Sequence, residues 1–395
     1  MNGPAFCVLA VVLLAATRAS AAAYTILDLG TLGGALSYGM AVNDSGQVVG
    51  HAYQKFNIGD IAFRTEANSA INPTTDNLGA LGTGETSGAR AINASGQVVG
   101  RSSINSSSTE HAFRTTAAGK INAAADLGTL GGTSSDAYGI NASGQVVGDS
   151  ETTVGSFAVH AFRTAANTAI NPATDDLATL GGSQARATGI NASGQTVGFS
   201  FLAGDVNYHA FRTAVSGLVS DPGADLGTLG GNSSYAYAIN DSGQVAGWSY
   251  LSDNFTQDAF RTTANGKITS QSDLGTLGGN QSEAFAINSS GQAVGFSYTN
   301  ENRDIHAFFV DVAGPMQDLN NLIVPNSGWI LNDAYGINNN GQIAGFGTIN
   351  SATHAFLLTP TSIPEPASMT LLAGGGFLLV LRRRIAKVDI QNIRH

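Results

Sequence analysis

The chain has 395 residues, of which 43% are hydrophobic and 12% charged, with a formal net charge of −10. Its one cysteine, Cys7, rules out an internal disulfide or a thiolate zinc site, so packing alone must supply stability. Between residues 22 and 359 the chain keeps 12 of the 18 basic and 26 of the 28 acidic residues. That balance leaves no basic stripe to hold a phosphate backbone and argues against a nucleic-acid partner.

The chain opens on an apolar run, Ala5 to Ala16, followed by the small residues Ala19-Ser20-Ala21-Ala22-Ala23. Apolar run and small-residue site together read as a secretory signal peptide over 1–21, with a mature start at Ala22 and signal peptidase as the processing partner. No Lys or Arg precedes the run, and Cys7 lies at its start, where a lipoprotein anchor would not have it.

From residue 24 to 359 one motif recurs seven times. Its asparagine stands at Asn43, Asn93, Asn141, Asn191, Asn240, Asn288 and Asn338, at intervals of 48 to 50 residues. A full unit reads Asp-Leu-Gly-Thr-Leu-Gly-Gly, then Asn-x-Ser-Gly-Gln-Val-Val-Gly, then a variable stretch, then His-Ala-Phe-Arg-Thr. Two β-prone runs flank Asn-x-Ser-Gly, where an Asx-turn and a left-handed glycine close a tight hairpin. The His-Ala-Phe-Arg-Thr and Ala-Asp-Leu-Gly segments alternate as half-buried strands do. Four short strands per unit and no sustained helical period predict an all-β fold.

Seven four-stranded units suggest a seven-bladed β-propeller closed by the N-terminal strand, with Tyr24 to Leu29 supplying the last blade's missing strand and pairing with His354 to Leu358. The alternative is a β-solenoid. The phenylalanines Phe63, Phe113, Phe162, Phe211, Phe260, Phe308 and Phe356 are expected in the core, and the body is expected to be monomeric.

Over Asp28 to Leu358 these elements resemble the HAF-family extracellular repeat, although Ile61 and Asp258 replace the histidine in two units and Leu322-Ile323-Val324-Pro325 replaces the double-glycine loop in the seventh. The resemblance implies an exported protein and assigns no chemistry. After a linker over 360–368, Pro364-Glu365-Pro366 precedes an apolar stretch and the cluster Arg382-Arg383-Arg384, with a tail over 385–395. This order resembles the PEP-CTERM sorting signal. It implies a short membrane segment over 369–384, processing by an exosortase, and a secreted or cell-surface location in a Gram-negative bacterium, by way of the inner membrane. Thirteen apolar residues are fewer than the ~20 that span a bilayer comfortably, and arginines stay on the cytoplasmic side, which suits a temporary stop.

No catalytic constellation stands out. His111, His160, His209, His306 and His354 recur once per unit, too far apart to share one ion, and read as structural. Arg64, Arg114, Arg163, Arg212 and Arg261 read as cross-strand partners of Asp28, Asp76, Asp126, Asp176, Asp225 and Asp273. Gly-x-Ser lacks the further glycine of a nucleophile elbow, Gly-Thr-Leu-Gly-Gly lacks a phosphate loop's Lys-Ser/Thr, and Asn-x-Ser is explained by turn chemistry rather than glycosylation.

The variable stretch is where recognition is expected, because binding residues favour loops on a rigid frame. Tyr53, Phe199, Phe201, Trp248, Tyr250 and Tyr298 could stack on sugars, and Asp205, Asp253 and Asp304 add acids that could hold Ca²⁺, although no cofactor is expected. The expected function is a non-catalytic, surface- or matrix-associated protein that binds exopolysaccharide or another surface polymer through this face. The alternatives are a polysaccharide-degrading enzyme, which would need a close pair of carboxylates on one face, and a ligand-free structural coat protein.

Overall fold

The structure, a computed structural model, describes residues 23–57, 59–83, 85–105 and 109–361. The signal peptide, the Pro-Glu-Pro motif, the 369–384 segment and the tail lie outside them. Among the described residues no helix is long and apolar enough to cross a membrane. Tyr24–Pro360 forms one compact unit.

This body is all-β, interrupted only by short 3₁₀ turns. The hairpin forms in each unit for the reason the sequence suggests. In the third, Ser135–Ile140 runs into Val146–Glu151 through Asn141-Ala142-Ser143-Gly144. Asn141 Oδ1 accepts the Gln145 N–H at 3.0 Å, and the Gly144 N–H donates to Asn141 O at 3.0 Å. The hairpin glycines all take a positive φ, from 75° at Gly341 to 88° at Gly291, which only glycine adopts without strain. A third strand, Val159–Arg163, completes the unit and carries Phe162 into the core, where all seven equivalent phenylalanines are fully buried.

The expected set of seven four-stranded blades in a closed propeller is not what forms. The strands fall into five open sheets of four, six, eight, three and three strands, and none closes on itself. Two differences account for this. The Asp-Leu-Gly segment, expected as a fourth strand, is reduced in four units to a single bridge: Phe63↔Asn77, Phe113↔Asp126, Phe162↔Asp176 and Phe211↔Asp225. In these units Asp126 Oδ1 and its equivalents accept the N–H two residues on, as Gly128 donates at 2.8 Å, but the same bond occurs within the strands Tyr24–Gly30 and Asp273–Gly275 and does not by itself stop pairing. Meanwhile single parallel pairs, Val159↔Gln184 and Gln257↔Gln281, fuse the third unit with the fourth and the fifth with the sixth. Parallel pairing between units goes no further than such isolated contacts, which also removes the basis for a solenoid. The first strand, Tyr24–Gly30, pairs antiparallel with the last, Ala352–Pro360, from Tyr24↔Pro360 to Gly30↔Ala355. That pairing joins the first and last strands of the body in a four-stranded sheet that stays open at both edges.

Side chains make the links that the ladders do not. Each motif asparagine is buried and donates through Nδ2 to the backbone carbonyl of the next: Asn43 to Asn93, Asn93 to Asn141, Asn141 to Asn191, Asn191 to Asn240, Asn240 to Asn288 and Asn288 to Asn338. Asn338 donates to Asn43 O at 2.9 Å, so the series returns to its start.

Candidate functional site

The innermost strand of every unit carries a β-bulge at one position, three residues before the motif asparagine. Register shifts fall around Met40, Arg90, Tyr138, Thr188, Tyr237, Phe285 and Tyr335. The glycine that ends each Asn-x-x-Gly-Gln-x-x-Gly run permits this. A Cβ on Gly148 would lie 1.9 Å from Asp136 O and one on Gly295 1.8 Å from Glu283 O, so the two backbones approach as only glycine allows. A bulge leaves its extra residue outside the ladder and re-aims its side chain. All seven bulged residues line one cavity of about 480 Å³, together with Arg186, Tyr235 and Glu283.

The cavity walls are aromatic and charged. Tyr235 stands 4.5 Å from Tyr237 between ring centroids, and Phe285 stacks on Tyr335 at 4.5 Å with ring planes 3° apart. The Arg90 and Arg186 guanidinium groups lie 4.4 and 4.8 Å from the Tyr138 ring. Arg90 is held by a two-point pair with Asp136, at 3.0 and 2.7 Å, and Arg186 Nε donates to Asp149 at 2.5 Å. These pairs fix the guanidinium planes as cavity walls.

Two carboxyl groups differ sharply in their surroundings. Glu283 Oε2 accepts the Tyr237 hydroxyl at 2.7 Å, and its Oε1 accepts Gln257 Nε2 at 2.7 Å and Gln281 Nε2 at 3.3 Å. Burial pushes the Glu283 carboxyl above the usual carboxylate range, and these three donors pull it back by favouring the anion. Asp333, on Trp329–Ile337 two residues before Tyr335, makes no hydrogen bond through its carboxyl to the described protein. Burial, and then the nearby charge of Glu283, push it up to about 7. Burial thus raises both carboxyls; Glu283 lines the cavity, whereas Asp333 lies outside its lining.

The aromatics and acids expected to bind ligand are mostly used elsewhere. Phe199 stacks on Tyr235 at 4.6 Å, Phe201 packs against Phe199 and Tyr208, and Tyr298 packs on Phe296. Trp248 is 7% exposed, with Tyr250 edge-on to it at 5.2 Å. Asp205 Oδ1 accepts the Ser183 N–H at 2.6 Å, tying its loop to the strand Gly181–Ile190, and Asp253 accepts the Phe255 and Thr256 N–H groups to close a turn. Asp304 bonds through its backbone carbonyl to the Thr299 N–H. Only Tyr53 opens onto a recess, one of about 370 Å³ that it shares with His51, Asp60, Arg90, Arg101 and Glu110. Among the described residues no group of three or more His, Cys, Asp or Glu could hold a metal ion.

The histidines contact neither one another nor the cavity. Nδ1 of His111, His160, His209, His306 and His354 lies 2.7 to 3.0 Å from a carboxylate of Asp126, Asp176, Asp225, Asp318 and Asp28 respectively. The expected Arg–Asp pairing is therefore corrected. Arginine stands three residues beyond histidine, on the opposite face of the strand, and reaches the hairpin carbonyls of the next unit, as Arg64 does to Gly96 O at 2.8 Å. Where histidine is replaced the pair is lost: in the first unit Asn77, not an aspartate, bridges Phe63, and in the fifth Asp258 hydrogen-bonds to the retained Asp273.

The cavity residues escaped the sequence reading because they lie inside the most regular part of the repeat. A signal was present: seven equivalent positions holding Met, Arg, Tyr, Thr, Tyr, Phe and Tyr within an otherwise constant frame. No family model matches the chain and no curated protein matches it, so the resemblances to HAF repeats and to a PEP-CTERM signal, and with them the exosortase and membrane-segment expectations, gain no support beyond the residues that suggested them.

Proposed function

We propose that the chain is a polysaccharide-degrading enzyme whose site is the bulge-lined cavity. One observation carries this reading: burial raises two carboxyls whose charges interact, Glu283 among the aromatic faces that line the cavity and Asp333 beyond that lining, only the former held by hydrogen-bond donors that favour its anion. Glycoside cleavage needs one carboxyl that still carries its proton and one that is anionic. Asp333, with no hydrogen bond favouring its anion, is the acid that protonates the leaving glycosidic oxygen. Glu283, held by Tyr237, Gln257 and Gln281, is the anion that assists attack of water at the anomeric carbon. Tyr237, Phe285 and Tyr335 supply the stacking surface, and Arg90 and Arg186 donate to hydroxyls around it.

The test is release of reducing ends from a panel of neutral and acidic polysaccharides by the full chain. Glu283→Gln and Asp333→Asn should each abolish release while leaving polymer retention intact. Retention by the wild type with no release would favour a non-catalytic polymer-binding protein. Neither retention nor release on any polymer would leave the coat-protein reading.

A further inference from the structure

The charged groups that line the cavity are of two kinds. Arg90 and Arg186 flank the Tyr138 ring, and each already has an anion. Arg90 makes its two-point pair with Asp136, and Arg186 Nε donates to Asp149, so the protein itself compensates these cations. Glu283 has only neutral partners: the Tyr237 hydroxyl and the side-chain amides of Gln257 and Gln281. Burial and those donors act on its carboxyl, and among the described residues no arginine, lysine or histidine forms an ion pair with it. The rings show the same division. Tyr138 carries two guanidinium groups, whereas the rings of Tyr237, Phe285 and Tyr335 contact other rings and no cation.

A partly buried carboxylate without a counter-ion is where a ligand's positive charge gains most, because the cation offsets a desolvation that neutral donors offset only in part. A hard metal ion does not fit: it takes six or more oxygen ligands, and Glu283 belongs to no group of three acids or histidines. An ammonium needs one anion and is attracted by aromatic neighbours. The rest of the body points the same way. Between residues 22 and 359 acidic residues outnumber basic ones 26 to 12, a field that draws in a cationic polymer and repels an anionic one.

From this uncompensated anion we infer that the sugar bound in the cavity is an amino sugar, its protonated amine held against Glu283, so that the substrate is a cationic glycan with free rather than acetylated amines. The inference rests on the proposed degradation and adds the class of sugar recognised. A carboxylate that assists attack at the anomeric carbon also faces the substituent on the neighbouring carbon, which is where a 2-amino sugar carries its nitrogen. Acetylation of that nitrogen removes the charge, and a uronate would bring a second anion into the cavity.

The experiment compares hexamers of glucosamine and of N-acetylglucosamine with the same linkage, at a pH where the free amines are protonated. By calorimetry the wild-type full chain should bind the glucosamine hexamer at least about tenfold more tightly. Glu283→Gln should lose that preference, and Glu283→Asp, which keeps the charge, should retain it in part. Equal binding of the two hexamers, binding of neither, or a preference that survives Glu283→Gln overturns the amino-sugar assignment; degradation stands if reducing ends are still released from another polymer. Glu283-dependent retention of the glucosamine hexamer, with no release from any polymer, overturns degradation and leaves the ammonium assigned to a binding site.

Discussion

The asparagine series and the bulge-lined cavity lie three residues apart in each of the seven units, yet they obey opposite rules. At the first, one residue type is repeated seven times and its side chain makes the same bonds each time, to the next unit's carbonyl and to the glutamine four residues on. At the second, the backbone repeats the same bulge seven times and the side chain changes. Repetition of a side chain marks a shared structural task, whereas repetition of a backbone device with a changing side chain marks a surface that meets something asymmetric. The histidine–aspartate pairs and the buried phenylalanines belong with the asparagines; Glu283 and Tyr237 belong with the cavity.

The largest effect expected from breaking the repeated frame is at its core. Phe162→Ala empties a fully buried aromatic site and should cost on the order of 3–5 kcal/mol, read by urea denaturation. An unchanged midpoint would mean that the phenylalanine layer is not what holds adjacent strands together. Asn141→Ala should cost about 2–3 kcal/mol, because the Asn191 carbonyl, Gln145 and Ser143 all lose a buried partner. If the loss is no greater than for an exposed asparagine such as Asn232, the series is decorative.

On the cavity side the sign reverses. The Asp333 carboxyl is raised in the folded state to about 7, so the folded chain holds that proton more firmly than the unfolded one between the ordinary carboxylate range and neutrality. Stability from this group is greatest when it is protonated and falls as pH rises through that window. Asp333→Asn should therefore stabilise the chain, by on the order of 2 kcal/mol at about pH 8 and much less at about pH 4, while activity is lost. Equal stability changes at both pH values would place Asp333 in ordinary solvent. The smallest effect is at a frame ion pair. The hydrogen bond to Asp318, opposed by burial, leaves the His306 imidazole above its usual range. Its contribution is complete below the unfolded-state pKa and fades as pH rises through the folded one, so His306→Gln should remove a stability loss of less than about 1 kcal/mol across that interval.

Much of the frame could be read without coordinates. The turn chemistry of Asn-x-Ser-Gly and the burial of the His-Ala-Phe ring follow from local rules that hold whatever surrounds them. The fourth strand misled because Asp-Leu-Gly has a strand's alternation, but in four units its pairing amounts to a single bridge. Trp248 and its neighbours misled for a different reason: an aromatic in a variable segment looks the same whether it faces a sugar or another aromatic.

Sequence by itself determined the β-structure, the seven units and the residues that bury themselves in each, since period, turn residues and alternation act within a few residues of one another. Only the tertiary structure decided how strands divide among sheets, that the bulged residues share one cavity, and that Glu283 and Asp333 are neighbours. Those two carboxyls are about fifty residues apart in the chain. Their interaction, and the upward push of burial on both, exist only after the units have packed, because desolvation and charge coupling depend on distance in space and not along the backbone.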